Sequence, residues 1–371
     1  MEIHDVKKYN IKKLLVFLII FGLLIANLYG YLMSSYLIGS EMSVGTIDFG
    51  IIDVPLALSP KTIKPPSANI LAAAAARAKL VFDAKTEKSI FDGEAVTGLK
   101  MPAADGKSTV NNGAADIDFT NAAQGYVMVK YKKSTANVQK VVQILHNNSK
   151  SSYAYFLNVF KENEYMTFPL AFGNGSYTVN VCEQVGTKYA GLSSATFDVK
   201  IADEKTPFLY PGYLANYTKD SKAAKMAKYI CKDMKTELQK VEKVYNYVID
   251  NIVYDYELAE KVVNQGFIHV PVLDNTLTTK KGICFDYASL MTSMLRSQGV
   301  PTKLVMGYTS GVYHAWINVF VKDVGWVDGA IQFDGKTWKL MDPTFAASSS
   351  ADSGILDYIG DGNNYTTTNI F

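Results

Sequence analysis

The hydrophobic pattern changes character three times along the chain, and each change predicts a different kind of structure. Residues 14–40 carry no charge at all. A helix needs about 20 apolar residues to cross a bilayer core, whereas a cleavable signal core runs to about 7–15. Lys7, Lys8, Lys12 and Lys13 precede the run, and Glu41, Asp48 and Asp53 follow it. The positive-inside rule then keeps the N-terminus in the cytoplasm and exports the rest. The expectation is a single-pass cell-membrane anchor with the domains outside the cytoplasm. Secretion after cleavage near Ser34, Ser35, Gly39 or Ser40 is the alternative. Residues 46–58 alternate loosely, and Pro60, Pro65 and Pro66 mark a connector. Ser67 caps a predicted helix through the alanine run 72–76 toward Phe82. Residues 92–121, rich in Gly, Ala, Asn and Asp, read as linker or turns.

From 124 to about 202 the period is two. Val127, Val129 and Tyr131 share a face, as do Tyr177, Val179 and Val181, and then Phe197, Val199 and Ile201. Asn147-Asn148, Gly173-Asn174-Gly175 and Val185-Gly186 punctuate these runs, which predicts a small all-β sandwich of immunoglobulin-like architecture. From Lys219 the period becomes helical. Leu238, Val241, Val244, Tyr245, Val248, Ile249 and Ile252 recur at three- and four-residue steps, a helix ending near Asn251. Another helix starts at or just before Cys284 and stops at Gly299 and Pro301. Strand-like runs follow at 302–308, 313–321 and 338–341, and the tail beyond Ser348 is read as adding a last strand. Helices followed by strands predict an α+β domain with an antiparallel sheet. The chain thus divides into a stub and membrane segment (1–40), a linker with a short strand and helix (41–120), a β-sandwich (121–204) and a catalytic α+β domain (205–371).

Composition narrows the function. With 371 residues the chain is long for a single core. A formal charge of +2 gives no concentrated basic face, which argues against nucleic acid as a partner. Cys182 and Cys231 could bridge, but Cys231 falls on the apolar face of Ala223, Ala227, Ile230 and Met234, where a plain core cysteine fits better. No C-x-x-C or H-x-x-x-H pair appears, so no metal is expected. Neither a calcium loop nor a phosphate-cradling glycine loop is present, so no cofactor is expected.

Three segments carry chemistry. Cys284 sits in Lys281-Gly282-Ile283-Cys284-Phe285-Asp286-Tyr287-Ala288, His314 in Tyr313-His314-Ala315-Trp316, and Asp342 in Trp338-Lys339-Leu340-Met341-Asp342-Pro343-Thr344. A cysteine at a helix N-terminus is favoured as thiolate by the unsatisfied N–H groups there. Gly282 reads as permitting a tight turn and close substrate approach. His314 would activate the thiol and protonate the leaving amine, and Asp342 would hold the imidazole's tautomer. Asp286 and Tyr287 read as organisers of the helix start. Trp316 and Trp326 are candidates for the cleft wall, with aromatic core the equal alternative.

These three boxes, in this order, resemble the transglutaminase-like superfamily within the wider papain-like fold. The likeness covers roughly 219–345, and Asn251-Ile252-Val253-Tyr254-Asp255 is similar to the segment preceding the core in bacterial members. The resemblance implies acyl transfer or amide and peptide hydrolysis through a thioester, on a peptide or protein substrate or a cell-surface polymer. Animal transglutaminases place an oxyanion-stabilising tryptophan upstream of the cysteine. Here the three Trp (316, 326, 338) are all downstream. The Cys284 N–H is one oxyanion donor and Tyr254 the candidate for a second, and the missing Trp tilts the expectation from amine transfer toward hydrolysis. The competing reading is a non-catalytic surface binding or scaffold protein with a vestigial triad.

Overall fold

A computed structural model describes residues 79–309, 312–322, 324–327, 331–333, 338–340 and 365–371. The expected membrane segment, the connector and the alanine run lie outside these residues. Among the described residues no helix is long and apolar enough to cross a membrane. The first element is helix α1 (Ala84–Phe91), capped by Asp83, whose carboxylate accepts from Thr86 N. Residues 79–83 are not helical, so the helix expected to reach Phe82 does not do so.

Eight strands follow: β1 (Thr109–Asn111), β2 (Ala115–Asp118), β3 (Tyr126–Tyr131), β4 (Lys140–His146), β5 (Ser151–Leu157), β6 (Met166–Pro169), β7 (Gly175–Val185) and β8 (Lys188–Val199). They form two antiparallel sheets, ordered β1-β2-β3-β6 and β5-β4-β7-β8. The sheets share one apolar core. Val127, Val129 and Tyr131 from the first, and Val142, Ile144, Tyr177, Val179 and Val181 from the second, are all sealed from solvent. Tyr131 ties the two together, its O–H donating to Cys182 O at 2.9 Å and Val141 O at 3.2 Å. β1 and β2 correct the reading of 92–121 as linker. β2 was hidden because Asp116 and Asp118 occupy buried positions, where alternation predicts apolar side chains. Lys130 and Lys132 neutralise Asp116 at 3.1 and 2.8 Å, and Asp118 accepts from Gly106 N and Thr120 N.

The C-terminal region runs α2 (Lys222–Cys231), α3 (Glu237–Asn251), β9 (Val253–Tyr254), α4 (Tyr256–Gln265), α5 (Leu273–Thr279), β10 (Lys281–Gly282), α6 (Cys284–Ser297), β11 (Thr302–Thr309), β12 (Val312–Val321), β13 (Gly325–Val327), β14 (Ile331–Phe333), β15 (Trp338–Leu340) and β16 (Tyr365–Ile370). α3 opens on a reciprocal capping box between Thr236 and Gln239 and buries Val241, Val244, Tyr245 and Val248 on one face. α6 is buried on all sides, only Phe285 keeping partial exposure, which makes it the central helix. It packs across β11 and β12 of an antiparallel sheet ordered β13-β12-β11-β16. Cys182 and Cys231 are free and buried, and burial pushes both thiols up to about 12.

Arg296, near the end of α6, is fully buried. Its three nitrogens donate to Thr302 O at 2.8 Å, Tyr210 O at 2.9 Å and Phe371 O at 2.8 Å. Burial pushes its pKa down to about 10, which leaves it charged at neutral pH. One side chain thus joins the central helix, the segment after the sandwich and the residue following β16. Phe371 itself lies against Tyr153 and Tyr155 of the sandwich, with ring centroids 5.0 and 5.4 Å apart. Arg296→Met removes three charge-assisted hydrogen bonds and is expected to destabilise the fold by about 3 kcal/mol or more, read by urea unfolding.

Candidate active site

The first turn of α6 is held from several directions. β10 leads into Cys284 and pairs in parallel with β9, with Gly282 opposite Tyr254. Val253 N donates to Lys280 O at 2.8 Å, and Asp255 N to Gly282 O at 2.9 Å. One turn in, the Tyr287 hydroxyl donates to Ile252 O at 2.6 Å. Asp286 folds back over the helix start, accepting from Ile283 N at 2.9 Å. Its two carboxylate oxygens each lie 2.9 Å from His269 Nε2, and Thr276 Oγ1 donates at 3.4 Å. Asp286 and Tyr287 therefore organise the helix start, as their positions suggested.

Gly282 has a different role from the one expected. It does not adopt a left-handed conformation. A Cβ there would fall 2.5 Å from Asp286 Cβ, so glycine makes room for the carboxylate that caps α6 rather than for a tight turn. His269, on the segment between α4 and α5, has no sequence signal beyond being one of four histidines.

Cys284 is the first residue of α6 and is buried, 5% exposed. His314 lies near the start of β12, opposite Gly307 of β11, and is buried too. Its neighbour Tyr313 stands in the field of the thiol. Burial, with smaller contributions from Tyr308 and Cys284, pushes the Tyr313 phenol up to about 12. Tyr313, on β12, thus lies within electrostatic reach of Cys284. Strand alternation puts Tyr313 on the face of Ala315 and Ile317, and His314 on the face of Trp316 and Asn318.

Tyr254, through the Gly282 pairing, stands two residues before Cys284 in register, half-buried, with its ring 5.0 Å from that of Tyr256. Trp316 is buried beside Gly307, where a Cβ would meet its ring at 2.7 Å. Trp326 is placed elsewhere. It pairs with Phe320, six residues along β12 from His314 or about 20 Å, so it does not wall the groove at Cys284. It packs against Phe208 and Phe320 under the Lys303 ammonium. Asp342 lies outside the described residues. Among those described, no group of three His, Cys, Asp or Glu could hold a metal ion.

Residues 224–329 match the family model of the transglutaminase-like superfamily. The chain is 26% identical over 147 residues to the human kyphoscoliosis peptidase, covering 40% of this chain and 21% of that protein. It is 28% identical over 144 residues to an uncharacterised Bacillus subtilis protein, YebA, covering 34% and 19%. The chain thus spans about a fifth of the length of these curated relatives. Among solved structures, a candidate cysteine protease from Cytophaga hutchinsonii is similar at 13% identity and TM-score 0.32, over 66% of this chain and 83% of that one. Red sea bream transglutaminase is similar at 12% identity and TM-score 0.25, over 59% and 48%.

Two expectations follow from this geometry. Gly282→Ala forces its methyl into the Asp286 capping contact and should cost about 1–3 kcal/mol in thermal or urea unfolding. The Tyr313 phenol, raised by burial, should stay protonated through about pH 10. An ultraviolet titration of wild type against Tyr313→Phe should therefore show no difference in phenolate signal until the pH exceeds that value.

Proposed function

From the transglutaminase-like domain that residues 224–329 carry, we propose that this protein performs thiol-dependent acyl transfer or amide hydrolysis with Cys284 as nucleophile, His314 as base and Asp342 as the group that orients the base. Thiol chemistry in general is what that superfamily suggests; the triad and the reaction are our reading. The observation that supports it is Cys284 at the tip of a fully packed central helix that packs against β12, the strand carrying His314.

The steps follow from these groups. His314 takes the thiol proton, and the Cys284 sulfur attacks the carbonyl carbon of an amide. The oxyanion forms near the Cys284 N–H and the Tyr254 hydroxyl. The C–N bond breaks, the proton passes from His314 to the leaving amine, and a thioester remains. Water or a second amine then attacks the thioester, gives its proton to His314, and frees the thiol with release of an acid or a new amide. The absence of tryptophan upstream of Cys284 favours water as the acceptor. The substrate is a peptide, a protein or a cell-surface polymer bearing amide groups. The charge-free run at 14–40 supports an anchored, outward-facing protein. The sheet order β5-β4-β7-β8 beside β2-β3-β6 supports an immunoglobulin-like reading of the sandwich, with a spacing or binding role.

Full-length protein offered an amide-bearing peptide library, with and without a primary amine, is expected to yield chain cuts or deamidated products by mass spectrometry. His314→Ala should cut turnover by about 10²–10⁴ and slow Cys284 labelling by a neutral haloacetamide, whereas Tyr313→Phe should leave labelling near wild type. Equal labelling of wild type and His314→Ala at neutral pH contradicts an activated thiol. Tyr254→Phe should lower turnover by about 10²–10³ without slowing that labelling, because it removes only an oxyanion donor.

A further inference from the structure

The His269–Asp286 pair is the chemistry at the tip of α6 that the proposed reaction does not use. Asp286 is buried, 3% exposed, and its carboxylate lies over the helix N-terminus through the Ile283 N–H. That is the electropositive end which a thiolate at Cys284 would also draw on. An uncompensated carboxylate in the same helical turn would oppose a second negative charge there. His269 meets this carboxylate with Nε2 at 2.9 Å from both oxygens, its ring standing edge-on to Phe285 at 6.2 Å. The contact is made by one ring nitrogen to both oxygens, a donation from Nε2–H that a charge on the ring would strengthen.

Other ionisable groups surround this end of the helix. Tyr254, Asp255 and Tyr256 come from β9 and the start of α4, Lys281 from β10, Tyr287 from α6 itself, and Tyr313 and His314 from β12. Lys280 is already paired with Glu87 of α1 at 2.5 Å. Among the described ionisable side chains, His269 is the one that contacts Asp286 directly.

We propose that His269 is a positioning residue for the nucleophile: as an imidazolium bound to Asp286, it cancels the carboxylate's charge beside Cys284 and leaves the helix N-terminus free to hold the thiolate. This rests on the reading of Cys284 as nucleophile and adds to it a charge-compensating pair outside the triad. Asp286 keeps its capping role, and His269 removes the electrostatic penalty that role carries. A bond that only braced the fold would need the N–H donor and not the charge.

The test measures iodoacetamide modification of Cys284 in full-length protein at pH 7, quantified on the Cys284 peptide so that Cys182 and Cys231 do not interfere. His269→Gln keeps an N–H donor toward Asp286 and loses the charge. It is expected to react about tenfold slower than wild type. His269→Gln/Asp286→Asn, with neither charge, should return to within about twofold of wild type, and Asp286→Asn alone should react at least as fast as wild type. Melting curves for each variant show whether the fold is kept. A His269→Gln protein as fast as wild type, a double variant as slow as His269→Gln, or a slowed Asp286→Asn overturns the charge coupling while leaving the nucleophile intact. A wild-type thiol no faster than free cysteine instead overturns the nucleophile reading, and the coupling with it.

Discussion

The anchoring of the first turn of α6 is the constraint on which the site depends. A helix start inside a protein leaves backbone N–H groups that must find partners. Here Asp286 satisfies the one at Ile283, and that bond requires Gly282 to have no side chain. Gly282 is in turn held by β9, and the residue before β9 accepts the Tyr287 hydroxyl. The cap, the parallel strand pair and the tyrosine bond form a closed set around Cys284. These bonds hold the backbone on both sides of Cys284.

The other half of the site depends on the sheet. β11 and β12 pair without a break from Thr302 to Thr309, and β16 adds to the far side of β11 with a register shift at Met306/Gly307. Gly307 is what lets β16 and Trp316 come close, since a Cβ there would meet Thr366 O at 2.0 Å. Arg296 then ties the other end of α6 to the end of this sheet. Helix and strand are thus fixed to each other at the end opposite the thiol as well. The same arginine and Phe371 link the C-terminal region to the sandwich, so the two cores are mechanically continuous.

Much of this was legible from residue patterns, where a single strong signal decided the element. α3 was visible because its apolar residues keep one face and its cap is a Thr-x-x-Gln box. α6 and the strands after it were visible because apolar runs are bounded by Gly299 and Pro301. α4 and α5 were not. α4 has Tyr256 exposed and, among its described side chains, none buried, and α5 is a seven-residue helix holding only Leu273, Thr276 and Leu277 inside. β2 was hidden by two buried aspartates whose partners come from other strands and turns. The start of α6 at Cys284 was readable because its signals are local. The His269–Asp286 contact spans two helices and a strand, and nothing in the order of residues announces it.

The central claim is that acyl groups pass through the sulfur at the tip of α6. It is tested most directly by quenching the protein in acid during turnover of an amide-bearing peptide and mapping the covalent adduct. The account predicts an acyl group on Cys284, released by hydroxylamine as a thioester must be. Substrate consumed with no adduct at Cys284, together with undiminished turnover by Cys284→Ala, would contradict it.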